Sequence, residues 1–196
     1  IVLGSSFDGM NTMTWRLPLP ARRAAITLGA QIEQTIDFDC LISADVAEAL
    51  ASLAEALDDL GVEPRQAWTD VASLRPAIID RILADARTVD AMRMVEAIDH
   101  AWPADGAVVC DMAVAGYWYG GYSSQTRPRR LQYPVGWGTL GFALPAAIGP
   151  ASVGIPTLAV CGDGGPMFAL GELATYAQES LPITLLVLFA LAPGFA

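Results

Sequence analysis

The sequence predicts an α/β fold, in which open parallel sheets are flanked by helices, and three observations carry that expectation. First, the strand candidates are nearly continuous apolar runs: Ala24-Ala-Ile-Thr-Leu28, Ala107-Val-Val-Cys110, Thr157-Leu-Ala-Val-Cys161 and Ile183-Thr-Leu-Leu-Val-Leu188. Such runs suit a parallel sheet covered on both faces, whereas a half-solvated sheet would alternate apolar with polar. Second, amphipathic helical segments separate the runs. Third, Thr157 to Gly165 reads as a buried strand entering a Gly-Asp-Gly-Gly turn and then a helix, which places Asp163 at the carboxyl end of a strand. In open α/β sheets this is where ligands bind.

The elements follow in order. Ile1-Val-Leu-Gly is a strand running into a glycine turn, followed by a strand at 24–28 and a short one near Leu41–Ile42. From Asp45 to Leu60, Val46, Ala49, Leu50, Leu53, Leu57 and Leu60 recur on one helical face. Asp45 suits the N-cap and Gly61 the stop. Gly61-Val-Glu-Pro-Arg65 opens a linker containing a helix through Ile78–Ala86. Thr88 caps a helix to Asp99 whose apolar side is Val89, Met92, Val95, Ala97 and Ile98. The Met92 and Met94 pair reads as core packing. The chain therefore divides into 1–62, a linker at 63–88, and 89–196.

Composition removes several classes of function. The 196 residues are 54% hydrophobic with a formal net charge of −10, which disfavours nucleic acid and anionic membrane surfaces. Arg127, Arg129 and Arg130 are the only basic cluster, read as a solvated loop or a contact for an anionic substrate or partner. The chain has no lysine, so neither Schiff-base chemistry nor a P-loop lies within it. Its one histidine, His100, ends a helix and suits the helix dipole there. Cys40, Cys110 and Cys161 lie far apart in or beside apolar strands and read as small buried hydrophobes. A reducing, cytoplasmic setting is the expectation. The apolar stretch 183–192 is too short to span a bilayer, and no signal peptide is expected.

A Gly-Asp-Gly tripeptide by itself is most often a tight turn with a solvated aspartate. Here Gly162, Gly164 and Gly165 let the backbone turn sharply beside a helix start, so that amides face an anion while Asp163 takes a divalent cation. Gly162-Asp-Gly-Gly, Glu172-Leu-Ala-Thr175 and Gln178-Glu-Ser-Leu-Pro-Ile-Thr184 together resemble the diphosphate-binding segment of thiamine diphosphate-dependent enzymes, in the acetohydroxyacid (acetolactate) synthase and benzoylformate decarboxylase branch. Pro134-Val-Gly-Trp-Gly-Thr-Leu-Gly-Phe-Ala-Leu-Pro-Ala-Ala-Ile-Gly149 resembles the family's aminopyrimidine-binding segment, and Val108-Val-Cys-Asp-Met-Ala113 the start of its cofactor-binding domain. The resemblance covers about residues 89–188 well and 1–60 more loosely. It implies the C-terminal half of a Rossmann-like central domain followed by a diphosphate-binding domain.

The resemblance also implies roles. Asp163 binds Mg²⁺ or Ca²⁺, while Gly162, Gly164 and Gly165 approach the phosphates. The Gly138 carbonyl accepts from the cofactor's 4′-amino group. Leu140, next to Thr139 in the cofactor-binding segment, wedges between the cofactor rings. Gly138 and Leu140 are thus the candidate catalytic positions. Ala113 and Val114 pass beside the diphosphate, and Trp118, Tyr119, Tyr122 and Trp137 wall a substrate pocket or simply pack. The implied reaction is decarboxylation of a 2-keto acid, followed by ligation to a second carbonyl or by protonation. The implied assembly is a homodimer or homotetramer with Gly136–Gly141 and Tyr117–Tyr122 near the interface. Whether FAD occupies the central domain is open.

Two departures qualify the resemblance. The family places an asparagine ligand after the strand equivalent to 183–188, where this chain has Phe189; a spatial gap between Leu188 and Phe189 is the expectation, with a cofactor-covering loop absent there. The family's activating glutamate belongs to another domain, and nothing here corresponds to it, so the sequence is expected to be an incomplete account of a longer polypeptide. Two other classes stay open: a non-catalytic family member acting in binding or subunit interaction, and a Mg²⁺-dependent phosphoryl-transfer domain in which Asp111 would join Asp163.

Overall fold

A computed structural model describes residues 1–5, 7–9, 11–28, 36–63 and 70–189. The chain forms two compact units, Ile1–Trp68 and Thr69–Ala196. The segment expected as a linker at 63–88 therefore contributes a helix to the second unit.

In the first unit, β1 (Val2–Leu3), β2 (Ala24–Thr27) and β3 (Cys40–Ser43) pair in parallel in the order β1-β2-β3. Helix α1 (Val46–Asp59) follows with the predicted ends. The Asp45 carboxylate accepts from the amides of Ala47 and Glu48 at 2.9 and 3.2 Å. At the other end Gly61, at φ +64°, donates to Asp58 and Val62 donates to Leu57, the paired bonds of a Schellman stop. The predicted apolar stripe forms, but Leu50, Leu53, Leu57 and Leu60 stay exposed within this unit. Cys40 is exposed as well, against expectation, because every residue of β3 is exposed.

The second unit is built on a parallel sheet ordered β5-β4-β6-β7, from β4 (Ala107–Cys110), β5 (Leu131–Gln132), β6 (Thr157–Gly162) and β7 (Ile183–Leu188). The apolar runs exist because both faces are covered. Val108, Cys110, Leu158 and Val160 face a core shared with Met92, Val95 and Ile98 of α3 (Val89–Ala101) and with Ala115 and Tyr119 of α4 (Val114–Tyr122). Ile79, Ile82 and Leu83 of α2 (Val71–Ala84) pack at its edge. The intervening residues Val109, Ala159 and Cys161 face Ala143, Leu144 and Ala147 of α5 (Ala143–Ser152). Burying each Val or Leu in this way contributes roughly 1.5–3 kcal/mol.

Several elements depart from expectation. α2 starts at Val71, capped by Asp70, and carries Pro76 inside it. Thr88 makes no N-cap bond to α3; its hydroxyl donates to the Ile82 carbonyl at 2.8 Å, tying α3 to α2. Ala91 rather than Ala97 is buried on α3. The turn after β6 leads first into a 3₁₀ segment, Gly165–Phe168, and only then into α6 (Glu172–Gln178), whose Tyr176 hydroxyl donates to the Leu144 carbonyl at 2.6 Å. Among the described residues no helix is long and apolar enough to cross a membrane.

Candidate functional site

The carboxyl ends of β4, β6 and β7 lie side by side. Gly162 pairs with Leu188, so Asp163 and Phe189 leave adjacent strand ends. Here a cleft of about 310 Å³ is lined by Met94, Ala113, Val114, Ala115, Gly162, Asp163, Leu188 and Phe189. Among the described residues, Asp163 is its only ionisable lining residue. The Asp163 side chain is exposed and makes no hydrogen bond or ion pair among the described residues. At Gly164, next to it, a Cβ would meet nothing within 4 Å. A partnerless carboxylate beside open backbone fits a divalent cation carrying a phosphate, because a hard cation takes carboxylate oxygen and phosphate oxygen together. No group of three or more His, Cys, Asp or Glu side chains clusters among the described residues.

β7 ends at Leu188, and Phe189 follows on the wall of the same cleft. Phe189 is 63% exposed and its side chain has no atom that could bind a metal. Met94, expected only to pack, lines the cleft, while Met92 is core. Ala113 and Val114 line it too. Trp118, Tyr119, Tyr122 and Trp137 do not. Tyr119 is buried and donates to Asp99 at 2.9 Å; Trp118 stacks with Tyr122 at a ring separation of 5.2 Å; Trp137 is 96% exposed.

Gly138, Thr139 and Leu140 lie outside the cleft lining, on the exposed loop that leads into α5. Gly138 has φ +63°, a left-handed conformation that only glycine adopts readily, and it sits near the Met112 side chain. Leu140 is half-exposed. The loop's far end turns back onto the β6 turn: a Cβ at Gly141 would come within 2.8 Å of the Phe168 Cβ.

What joins these two glycine-rich blocks is Asp111, a residue the sequence offered only as a second metal ligand. Its carboxylate is fully buried and accepts from the amides of Met112 (3.0 Å), Gly141 (2.9 Å) and Phe142 (3.1 Å). Asp111 therefore holds backbone and does not line the cleft, which removes the partner carboxylate that phosphoryl-transfer chemistry required. The signal was present: an aspartate directly after a buried strand must find donors. Flanking it, burial and then the Asp111 charge push the Cys110 thiol up to about 12, and the same causes do so for Cys161, so both are unreactive at neutral pH.

A parallel sheet covered on both faces, with glycine-rich turns gathered at its carboxyl edge, defines an α/β domain of the ligand-binding kind. Comparison with known proteins makes this specific. Residues 111–189 match the family described as thiamine pyrophosphate enzyme, C-terminal TPP binding domain. A protein of Pseudomonas aeruginosa named as a probable 2-ketoarginine decarboxylase is 36% identical over 169 residues, covering 84% of this chain and 27% of the relative. Acetolactate synthase isozyme 2 large subunit of Escherichia coli is 36% identical over 89 residues, covering 44% of this chain and 16% of the relative. A crystal structure of a candidate thiamin diphosphate-dependent enzyme from Mycobacterium smegmatis shares the fold, with a TM-score of 0.62 at 22% identity over 88% of this chain and 33% of that one. Through residues 111–189 the chain belongs to the thiamine pyrophosphate enzyme family. It spans 27% and 16% of the lengths of the two curated relatives described.

Proposed function

We propose that this chain supplies the diphosphate- and metal-binding part of a thiamine diphosphate-dependent enzyme that decarboxylates a 2-keto acid, with ligation to a second carbonyl or simple protonation completing the turnover. The observation that carries the reading is the partnerless Asp163 carboxylate, set in the cleft beside the open backbone of Gly164. When bound, the cofactor supplies an electron sink for the carbon–carbon bond that releases CO₂. The chain's own residues bind and orient. Asp163 would hold Mg²⁺ against the diphosphate, and the Gly162–Gly165 backbone would admit the phosphates. Gly138 would present its carbonyl to the aminopyrimidine, with Thr139 beside it and Leu140 as the apolar wedge between the rings. The apolar cleft wall of Met94, Ala113, Val114 and Leu188 would limit water near the metal.

The proposed assembly is a homodimer or dimer of dimers. The loop 136–141 and helix α4 expose Trp137, Leu140 and Tyr117, and an apolar surface of this kind suits a buried contact. A cytoplasmic setting belongs to the same reading. The decisive experiment is calorimetric titration of the intact protein with thiamine diphosphate in the presence and absence of Mg²⁺. Asp163→Ala should abolish the Mg²⁺-dependent binding; an unchanged affinity in the variant would sink the assignment. Phe189, apolar at the strand end next to Asp163, favours one second reading, a member that keeps the fold without the chemistry. A wild-type protein that shows no Mg²⁺-dependent binding in the same titration would support it.

A further inference from the structure

Asp111 is the only fully buried carboxylate among the described residues. All three of its donors are backbone amides. One, Met112, is its neighbour, while Gly141 and Phe142 lie thirty residues on, where the loop 134–141 enters α5. Phe142 is the N-cap of α5, so its amide is one that a helix start leaves without an intrahelical partner. On the other side of the carboxylate lies Gly165: a Cβ built there would overlap Asp111 Oδ2. One side chain thus touches the end of β4, the entry to α5 and the turn after β6. No other described side chain hydrogen-bonds to the Gly141 or Phe142 amide.

The geometry points to Asp111 as a positioning residue for the cofactor site. It fixes the distance between the loop carrying Gly138 and Leu140 and the turn carrying Asp163, so that the two halves of the site stand in register. This rests on the functional reading above. Shape as well as charge matters to the role. Asparagine would turn a donor NH₂ toward at least one amide N–H, and any side chain at Gly165 would displace the carboxylate.

The test compares wild type, Asp111→Asn, Gly165→Ala and the double variant Asp111→Ala with Gly165→Ala, all in the intact protein. Two readouts are taken below each variant's unfolding midpoint: amide hydrogen exchange by mass spectrometry, and thiamine diphosphate affinity at saturating Mg²⁺. Asp111→Asn should speed exchange within 134–142 while 183–188 stays protected. It should also raise the dissociation constant by about tenfold or more, the usual cost of losing a supporting partner. Gly165→Ala strains the same contact from the other side and should do the same, which keeps the test alive if Asp111→Asn does not fold. The double variant should be no weaker than Gly165→Ala, because both changes break one contact. A double variant weaker than Gly165→Ala, unchanged exchange in 134–142, exchange that accelerates equally in 183–188, or selective loosening without any loss of affinity would each overturn the inference. Wild-type protein that fails to bind the cofactor would sink the functional reading alone, and the exchange data would still decide whether Asp111 holds the loop.

Discussion

Replacing Tyr119 by phenylalanine removes one oxygen from the core and nothing else. The ring is 2% exposed and packs with Met92, Val95 and Val108, so phenylalanine fills the same space. What goes is the bond from the hydroxyl to Asp99 Oδ1 at 2.9 Å. Asp99 keeps its second bond, from the Ser124 amide to Oδ2 at 2.7 Å. Hydrogen bonds to charged groups are worth about 1.5–3 kcal/mol. Asp99 also lines a polar cleft with Trp102, Gln125 and Arg127, where water can replace the lost donor, so the lower end applies. A loss near 1.5 kcal/mol corresponds to a fall of roughly 3–6 °C in the unfolding midpoint of a domain of this size. Burial, and then the bond to Asp99, raise the hydroxyl's pKa above its ordinary 10.0. The folded state therefore holds this proton more tightly than the unfolded one, and the associated stability is full below pH 10 and declines above it. Thermal unfolding followed by circular dichroism at neutral pH measures the effect. An unchanged midpoint would refute the bond's contribution; a loss beyond about 4 kcal/mol would show that the ring had lost its packing as well.

Asp45→Ala should destabilise the first unit by about 1 kcal/mol, since two amides of α1 lose their cap, and Asp45→Asn should recover most of it; urea unfolding of the pair measures this. A thiol-reactive dye at pH 8 should label Cys40 alone in the native protein and all three cysteines after denaturation, because Cys110 and Cys161 are buried. The same two thiols, raised from 9.0 to about 12 by burial, make stability fall as the pH climbs from 9 toward 12, since the unfolded chain releases those protons first. Cys110→Ala with Cys161→Ala should flatten that alkaline slope in denaturation curves.

How much of this was legible in the sequence depends on how local each cause is. β4 and β7 were readable to the residue, because a strand covered on both faces is written as an uninterrupted apolar run. α1 was readable because its cap and its stop are neighbours of its ends. α4 was not: Gly116, Gly120 and Gly121 argue against a helix. The structure gives two of them a reason, since a Cβ on Gly116 would strike the Asp111 carbonyl and Gly120 lies against the Tyr133 ring. The start of α2 was hidden by Pro76, which normally ends or kinks a helix. At the site, the position of Asp163 just past a strand end was legible from its turn, but the work of Asp111 was not, because two of its three donors lie thirty residues away. Of the two readings open for the aromatic residues, the structure shows packing for Tyr119, Trp118 and Tyr122; composition does not say which side of a sheet a helix will take.

The face of α5 that meets the sheet presents Ala143 and Ala147 to Ala159 and Cys161. Methyl groups and a thiol are thin spacers, and they let the helix axis ride low over the strands. The first turn of that helix continues the backbone that carries Gly138 and Leu140, so the height of those two residues above the strand ends is inherited from the thickness of the alanine layer. A valine at Ala147 would act as a shim. It would lift the helix and tilt the loop while touching nothing in the cleft, and it would alter ligand fit from one turn further along α5. Variation at these small, buried positions would therefore shift the loop that carries Gly138 and Leu140 without any change in the residues that line the cleft.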